Sequence, residues 1–442
     1  LLTDKTTTSM TITGVSPLLT EELFQHIWQF RLFRTTHLCT IDGEPVQIIH
    51  PGVHNRDAGP DFTAARIRIG STLWAGNVEL HLRTSDWYRH GHHRNGQYSN
   101  VILHVVFEHD VADYDAGHMP PCLALQQQIP KMLLQRYESF RHLAAFVPCE
   151  EQAAQVPGLI WQNWKERLLI ERWERKTATL HTWLLQTAHN WEEVCYRAIA
   201  QSFGMPVNAA PFLQLAQSLP HLLLARHRPC LLQLEALLFG QAGMLEGSFQ
   251  DEYPLRLQDE YKYLRYKYKL QPIPGHSWKW LRMRPASFPT LRIASLAALL
   301  HQTPHLFSRI LDAESVDSFE QLFAVQPSAY WQEHYRFDGP PTQTRCHGRL
   351  AVHNILINTI LPMLFLYGRE KGLSYYQERA LQFMDTLPAE ENKISKAWEQ
   401  TGVNQQTALD SQALLQLKQR YCDEKRCLHC AVGAKLLRDG IF

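Results

Sequence analysis

The chain has 442 residues, 45% of them hydrophobic and 20% charged, which is ample for a large core and excludes a wholly disordered polymer. Its 44 basic and 43 acidic residues leave a formal charge of +1, so no whole-molecule field draws in nucleic acid or membrane, and any such partner needs a local patch. At this length two or three domains are expected.

Residues 1–15 are polar and Thr-rich, without the basic start and apolar run of a signal peptide, and read as a flexible tail. Thr20–Arg34 carries apolar residues at 23, 24, 27, 28 and 32, a helical stripe, with Thr20 as N-cap and Glu21 and Glu22 in the first turn. Strands are predicted over Pro45–His50, Phe62–Ile69, Thr72–Leu82 and Val101–His109, the last apolar enough to be buried on both faces. Between the last two lies a polar connection with helical potential.

Beyond residue 131 the pattern turns helical. Helices are predicted over Trp161–Gln186, Asn190–Phe203, Pro211–Leu219, Leu222–Phe239, Leu291–His301, Ser318–Phe323, Val352–Tyr367, Ser374–Asp385 and Gln412–Arg420. The longest apolar run, Val352–Gly368, contains His353, Asn354, Asn358 and Pro362 and reads as a buried helix rather than a membrane span. The fold class is therefore α+β: an α/β domain over 16–132, then a large, mainly helical domain over 133–442 that ends in a cysteine cluster. There is no GxxxxGK[ST] or GxGxxG phosphate loop and no fixed-period repeat. Nine cysteines, an odd count with six scattered and three clustered near the C-terminus, point without a secretion signal to a reducing cytoplasm.

Polar residues concentrate between His54 and His109. Asp61 opens one predicted strand and Glu79 stands in the middle of the next, so antiparallel pairing brings two carboxylates to one cation. A hard ion such as Mg²⁺ is commonly held by one or two carboxylates with waters and substrate phosphate. His81, two residues after Glu79, shares its face. The bland alternative is a GPD turn beside a Glu79 paired across the sheet with Arg66, Arg68 or Arg83.

Pro60-Asp61 and Glu79-Leu80-His81 resemble the PD-(D/E)XK motif of the restriction-endonuclease-like nucleases, and the order helix, three strands, helix, strand matches their core. The resemblance covers about a quarter of the chain and implies Mg²⁺-dependent phosphodiester hydrolysis. Asp61 and Glu79 would hold the ion, and Glu22 (or Glu21) would add an acid from the first helix. His81 would stand where the family has Lys. That replacement also supports a non-catalytic nucleic-acid- or protein-binding scaffold on a degenerate fold. Over most of its length, through HPGVHNRDAGPDF, WAGNVELHLRTSDWYRHGHH, NVILHVV and CDEKRCLHC, the chain resembles an uncharacterised bacterial domain family.

Three further clusters carry chemistry. His90, His92 and His93 follow the site, and His90 with His93 at helical spacing, joined by His81 or His104, would make a zinc hydrolase site. Cys422, Cys427 and Cys430 need one remote ligand for Zn²⁺ or an iron–sulfur cluster, with Cys346, His347 and Cys39 as candidates and His429 a crowded alternative. Tyr261–Pro285 has seven Lys or Arg residues, no acid and interleaved aromatics. Lys262, Arg265, Lys267, Lys269, Lys279 and Arg282 would neutralise phosphates while rings stack on bases.

Overall fold

The computed structural model describes residues 19–55, 57–112, 119–142, 145–280, 285–343 and 348–439. The expected tail at 1–15 lies outside them, as do Arg282, Cys346 and His347.

The protein is α+β and divides into two compact units, Leu1–Trp164 with Lys418–Phe442, and Lys165–Leu417. The expected boundary at 132/133 thus falls inside the first unit, and the terminal cysteines belong with the sheet rather than with the helical unit. The returning chain end is held there by side chains. Lys425 donates to the Arg141 carbonyl, Arg136 donates to the Leu436 carbonyl at 3.3 Å, and the Arg438 guanidinium lies 4.9 Å from the Phe30 ring centre.

The first unit opens with α1 (Glu21–Gln29), capped by Thr20, whose hydroxyl accepts from the Leu23 N–H at 3.2 Å. Its predicted stripe, Leu23, Phe24, Ile27 and Trp28, is buried. Six strands follow: β1 (Val46–His50), β2 (Val53–His54), β3 (Phe62–Ile69), β4 (Thr72–Arg83), β5 (Val101–Glu108) and β6 (Cys122–Ala124). The sheet order is β1-β3-β4-β5-β6, with β2 also pairing β3. β1, β3 and β4 are antiparallel neighbours, whereas β5 runs parallel to β4 and β6 parallel to β5. A parallel neighbour needs a crossover, and the chain supplies it with α2 (Asp86–Arg89) and two short 3-10 turns, His92–Arg94 and Gly96–Tyr98. β5 is buried on both faces apart from Glu108, as its apolar run predicts. Past the sheet lies α3 (Lys131–His142).

The second unit is helical, around a core that includes Trp173, Phe212, Phe239, Trp331 and Met363. The single helix expected over Leu222–Phe239 is two, His221–His227 and Leu231–Gln241. Pro229 has no N–H to donate back along the first helix, so the hydrogen-bond ladder stops there. Arg349–Lys371 is long and apolar enough to cross a membrane, but 61% of its most apolar window is buried inside the protein. Leu356, Ile357, Ile360, Leu361 and Met363 are core residues, and Leu356–Ile360 forms a π turn.

Candidate metal site

The register of β3 on β4 builds the site. At the outer end Ala65 lies opposite Gly76, a pairing that, extended four residues, would set Asp61 across from Leu80. One extra residue on β3 changes this, because Phe62 lies opposite Val78. The bulge contains Ala64, at φ 56° in the left-handed region. It shifts the register by one, which in a period-two structure moves a side chain to the other face. Asp61 consequently faces Glu79.

Their contacts are direct. The Asp61 N–H donates to Glu79 Oε2 at 3.0 Å, and Asp61 Oδ2 accepts from the Leu80 N–H at 3.0 Å. From α1, Gln25 donates to Asp61 Oδ1 at 2.7 Å. Asn55 shapes the loop before Asp61 by donating its amide to the Pro60 carbonyl at 3.0 Å and its backbone N–H to the Asp61 carbonyl at 2.7 Å. The arginine alternative is not what forms: Arg66 and Arg68 lie opposite Ala75 and Leu73, and Arg83 pairs with Glu108 at 3.8 Å.

Imidazoles surround Glu79. His81 is on the same face of β4, and His104 of β5 is the register partner of Glu79. His81 Nδ1 lies 2.9 Å from His104 Nε2, and His81 Nε2 lies 3.1 Å from His90 Nδ1. Glu79 Oε1 is 3.3 Å from His92 Nε2 and 3.7 Å from His81 Nε2. One ring nitrogen each from His81, His90 and His92 lies within 4.8 Å of the others. Of the three, His81 is buried, His92 half-buried and His90 exposed, so the cluster opens to solvent on one side. The rings of Trp87 and Tyr98 wall it, Tyr98 stacked on His92 at 3.9 Å.

The residues joined here differ in part from the expected set. Gly91, at φ 74°, ends α2 just past His90. The chain therefore turns His92, not His93, into the cluster, while His93 lies against Tyr88 and is exposed. Glu22 points elsewhere, to His429 at 3.4 Å. The α1 acid whose field reaches both Asp61 and Glu79 is Glu21. Asp61, Glu79 and His81 are brought together as expected.

Electrostatics follow from burial. Desolvation, then the Asp61 carboxylate, pushes the Glu79 carboxyl up to about 8. Desolvation, against the Leu80 N–H that favours the ionised form and with Glu21 adding to the rise, pushes Asp61 up to about 6. Burial also lowers His81 to about 2 and His104 to about 3, and neighbouring imidazoles add to both, so the rings stay neutral. The pocket thus offers carboxyl oxygens and the lone pairs of neutral rings. His92 Nε2 is buried without a hydrogen-bond partner although it faces Glu79 Oε1. A metal ion accepts such donors together.

A family model described as a protein of unknown function, DUF2851, matches residues 21–393. The chain belongs to that family. The DUF2851 match takes in α1, the whole sheet and every residue of the acid–imidazole site, and it ends before Cys422. No curated protein and no solved structure matches the chain.

The basic segment also lies within the DUF2851 region. Its first part is the end of a helix, Glu252–Tyr268, with Tyr261 and Leu264 buried. Lys262, Arg265, Lys267 and Lys269 line an open groove of ≈ 590 Å³ with Tyr266, which is 87% exposed. Trp278 is instead a core residue whose indole N–H donates to the Ala242 carbonyl at 2.8 Å, and Lys279 is exposed beside it. The terminal Cys422, Cys427 and Cys430 lie in the same unit as Cys149, near enough to act on it electrostatically. Cys39 is exposed and bridges to Pro45.

Proposed function

We propose that this DUF2851 chain is a divalent-metal-dependent hydrolase of phosphodiesters, a nuclease-type activity, with the ion held by Asp61, Glu79 and the imidazoles beside them. The observation that carries the reading is the facing carboxyl pair, each raised by burial and by acidic neighbours, with Glu79 Oε1 3.3 Å from His92 Nε2 and 3.7 Å from His81 Nε2 at the edge of the three-histidine cluster. Two facing carboxyl groups that burial and mutual repulsion push towards the protonated form are both ionised more readily when a cation sits between them. The element order supports the same reading: a helix, antiparallel strands carrying the acids, a helical link and a parallel strand, as in the restriction-endonuclease-like core the motif resembles.

Carboxylates alone favour Mg²⁺, but imidazoles shift preference towards Mn²⁺ or Zn²⁺. When bound, such an ion polarises a phosphoryl oxygen and lowers the pKa of its water. The chain's own residues do the positioning. Gln25 and the Leu80 N–H orient Asp61, and Asn55 fixes the loop before it. The His81 Nδ1 contact with His104 holds the ring so that Nε2 faces the acids, the outer-shell arrangement usual for a ligating histidine. His81 is neutral, so it does not replace the positive charge of the motif's Lys; its part is to hold and orient. His90, exposed and in contact with His81, gives a proton a route to solvent. The groove at Lys262, Arg265, Lys267 and Lys269 supplies phosphate contacts for a nucleic-acid strand.

The test is cleavage of labelled single- and double-stranded DNA and RNA with Mg²⁺, Mn²⁺ or Zn²⁺, comparing the wild type with Glu79→Gln. Metal-dependent cleavage that falls by at least about 10²-fold in the variant supports the reading. The neutral His81 in place of Lys favours one alternative, a binding scaffold without turnover. Metal uptake with no cleavage of any substrate would select that alternative.

A further inference from the structure

Glu79 turns its two carboxyl oxygens to different neighbours. Oε2 accepts the Asp61 N–H at 3.0 Å, whereas Oε1 stands 3.3 Å from His92 Nε2 and 3.7 Å from His81 Nε2. His81 Nε2 is in turn 3.1 Å from His90 Nδ1. Donors about 2.0 Å from one tetrahedral zinc ion stand about 3.3 Å from each other, and these three contacts bracket that length. His81, His90 and His92 each place one ring nitrogen within 4.8 Å of the others, the one such group of three or more His, Cys, Asp or Glu ligand atoms among the described residues. The His92 side chain is only 10% exposed, and its Nε2 has no hydrogen-bond partner.

The rings are set up as ligands. His81 Nδ1 contacts His104 Nε2 at 2.9 Å, and a hydrogen held there leaves the His81 Nε2 lone pair facing His90 and Glu79. Gly91, at φ 74°, turns the chain between His90 and His92, so that both reach His81. Charge is what this corner lacks. His81 stands where the motif it resembles has Lys, yet burial and the neighbouring imidazoles keep the ring neutral. The Arg89 guanidinium, whose field reaches His81, is paired with Asp86 at 2.6 Å. The place of the motif's cation is thus filled by a nitrogen donor that meets two more nitrogen donors and a carboxyl oxygen.

We propose that His81, His90 and His92, with Glu79 Oε1, hold a zinc ion of their own beside the ion shared by Asp61 and Glu79, and that this zinc supplies the positive charge the motif's Lys would carry. Three imidazoles select zinc over Mg²⁺ or Mn²⁺, which favour oxygen donors. Glu79 bridges the two subsites, one oxygen to each. In the zinc-free chain a hydrogen bond joins His81 to His90, and the ion takes its place. The charge role rests on the hydrolase reading; the zinc subsite does not.

The test uses the full chain stripped with chelator. Zn²⁺ affinity is read by competition with a fluorescent indicator and Mn²⁺ affinity by calorimetry, in the wild type, His90→Ala and Asp61→Asn. His90 is exposed, so its removal spares the core. One zinc per chain is expected in the wild type. His90→Ala should bind it at least about tenfold more weakly and keep its Mn²⁺ site, whereas Asp61→Asn should lose Mn²⁺ and keep zinc. Wild type saturated with Mn²⁺ should take up one zinc without releasing Mn²⁺, a result that needs no variant. Zinc affinity unchanged in His90→Ala, zinc displacing Mn²⁺ one for one, or no zinc bound by the wild type would each overturn the proposal. A wild type that binds zinc but no Mn²⁺ and cleaves nothing would remove the hydrolase reading and leave the zinc subsite standing.

Discussion

The Asp61 backbone N–H donates to the Glu79 carboxylate at 3.0 Å, across a strand pair whose register is set by one extra residue at Ala64. Without that residue Asp61 would face away from Glu79. The bulge thus converts two acids separated along the chain into one site, and what can be done to it follows from the same geometry.

The bulge itself can be tested. Ala64→Gly should be neutral or mildly stabilising, because glycine adopts a φ of 56° freely. Ala64→Val should cost about 1–3 kcal/mol, since a β-branched residue is strained there. Chemical denaturation reads the stability. Calorimetric titration of Mn²⁺ should show Val at this position weakening binding and Gly leaving it intact.

Stability against pH has a defined sign. Glu79 is raised to about 8, so its contribution is full below its ordinary value near 4.5 and is lost as pH rises through about 8. His81 and His104 are lowered to about 2 and about 3, so theirs is full above 6.5 and is lost as pH falls. Between about pH 6.5 and 8 the Glu79 trend is unopposed by these histidines. The thermal midpoint of the metal-free protein should fall across that window in the wild type and stay flatter in Glu79→Gln. Proton competition at Glu79 also predicts tighter divalent-metal binding at pH 8 than at pH 6, readable by the same titration at both values.

The histidine assignment separates neighbours in the sequence. His92→Ala should lose metal affinity strongly, whereas His93→Ala should match the wild type. His104→Ala, which removes the partner of His81 Nδ1, should cost about 10- to 100-fold in affinity. A fluorescence competition assay with a metal indicator ranks the three. Equal effects at His92 and His93 would contradict the arrangement.

The groove gives an ionic-strength signature. Replacing Lys262, Arg265, Lys267 and Lys269 by Glu should weaken nucleic-acid binding whatever the sequence. It should also lower the slope of log affinity against log salt by about 1 for each phosphate no longer neutralised. Filter binding over a salt series checks this, and an unchanged slope would remove the groove from the account.

Much of the first unit was legible because its signals are local. The stripe at 23, 24, 27 and 28 is periodic, and the apolar run of β5 announces a strand buried on both faces. Acids placed in two adjacent strands made the site foreseeable, and Glu79 and His81 share a face by period alone. The rest depended on information a window does not hold. Nothing about Ala64 announces a left-handed backbone. Gly91 did carry a signal, because glycine after a short helix ends it, and reading it would have chosen His92 over His93. Glu22 and Glu21 are adjacent acids on one helical turn, and only the packed neighbours distinguish them. Cys149 is remote in sequence from Cys422–Cys430, and the chain end that brings them into one unit is held by tertiary contacts such as Lys418 on Phe146.

The most direct measurement is calorimetric titration of Mn²⁺ into the wild type and into Asp61→Asn and Glu79→Gln at pH 8. One site per chain in the wild type, absent from both variants while their circular dichroism is unchanged, is the predicted result. Equal binding by all three proteins, or none by the wild type with Mn²⁺ or Zn²⁺, would contradict the claim that Asp61 and Glu79 hold a metal ion.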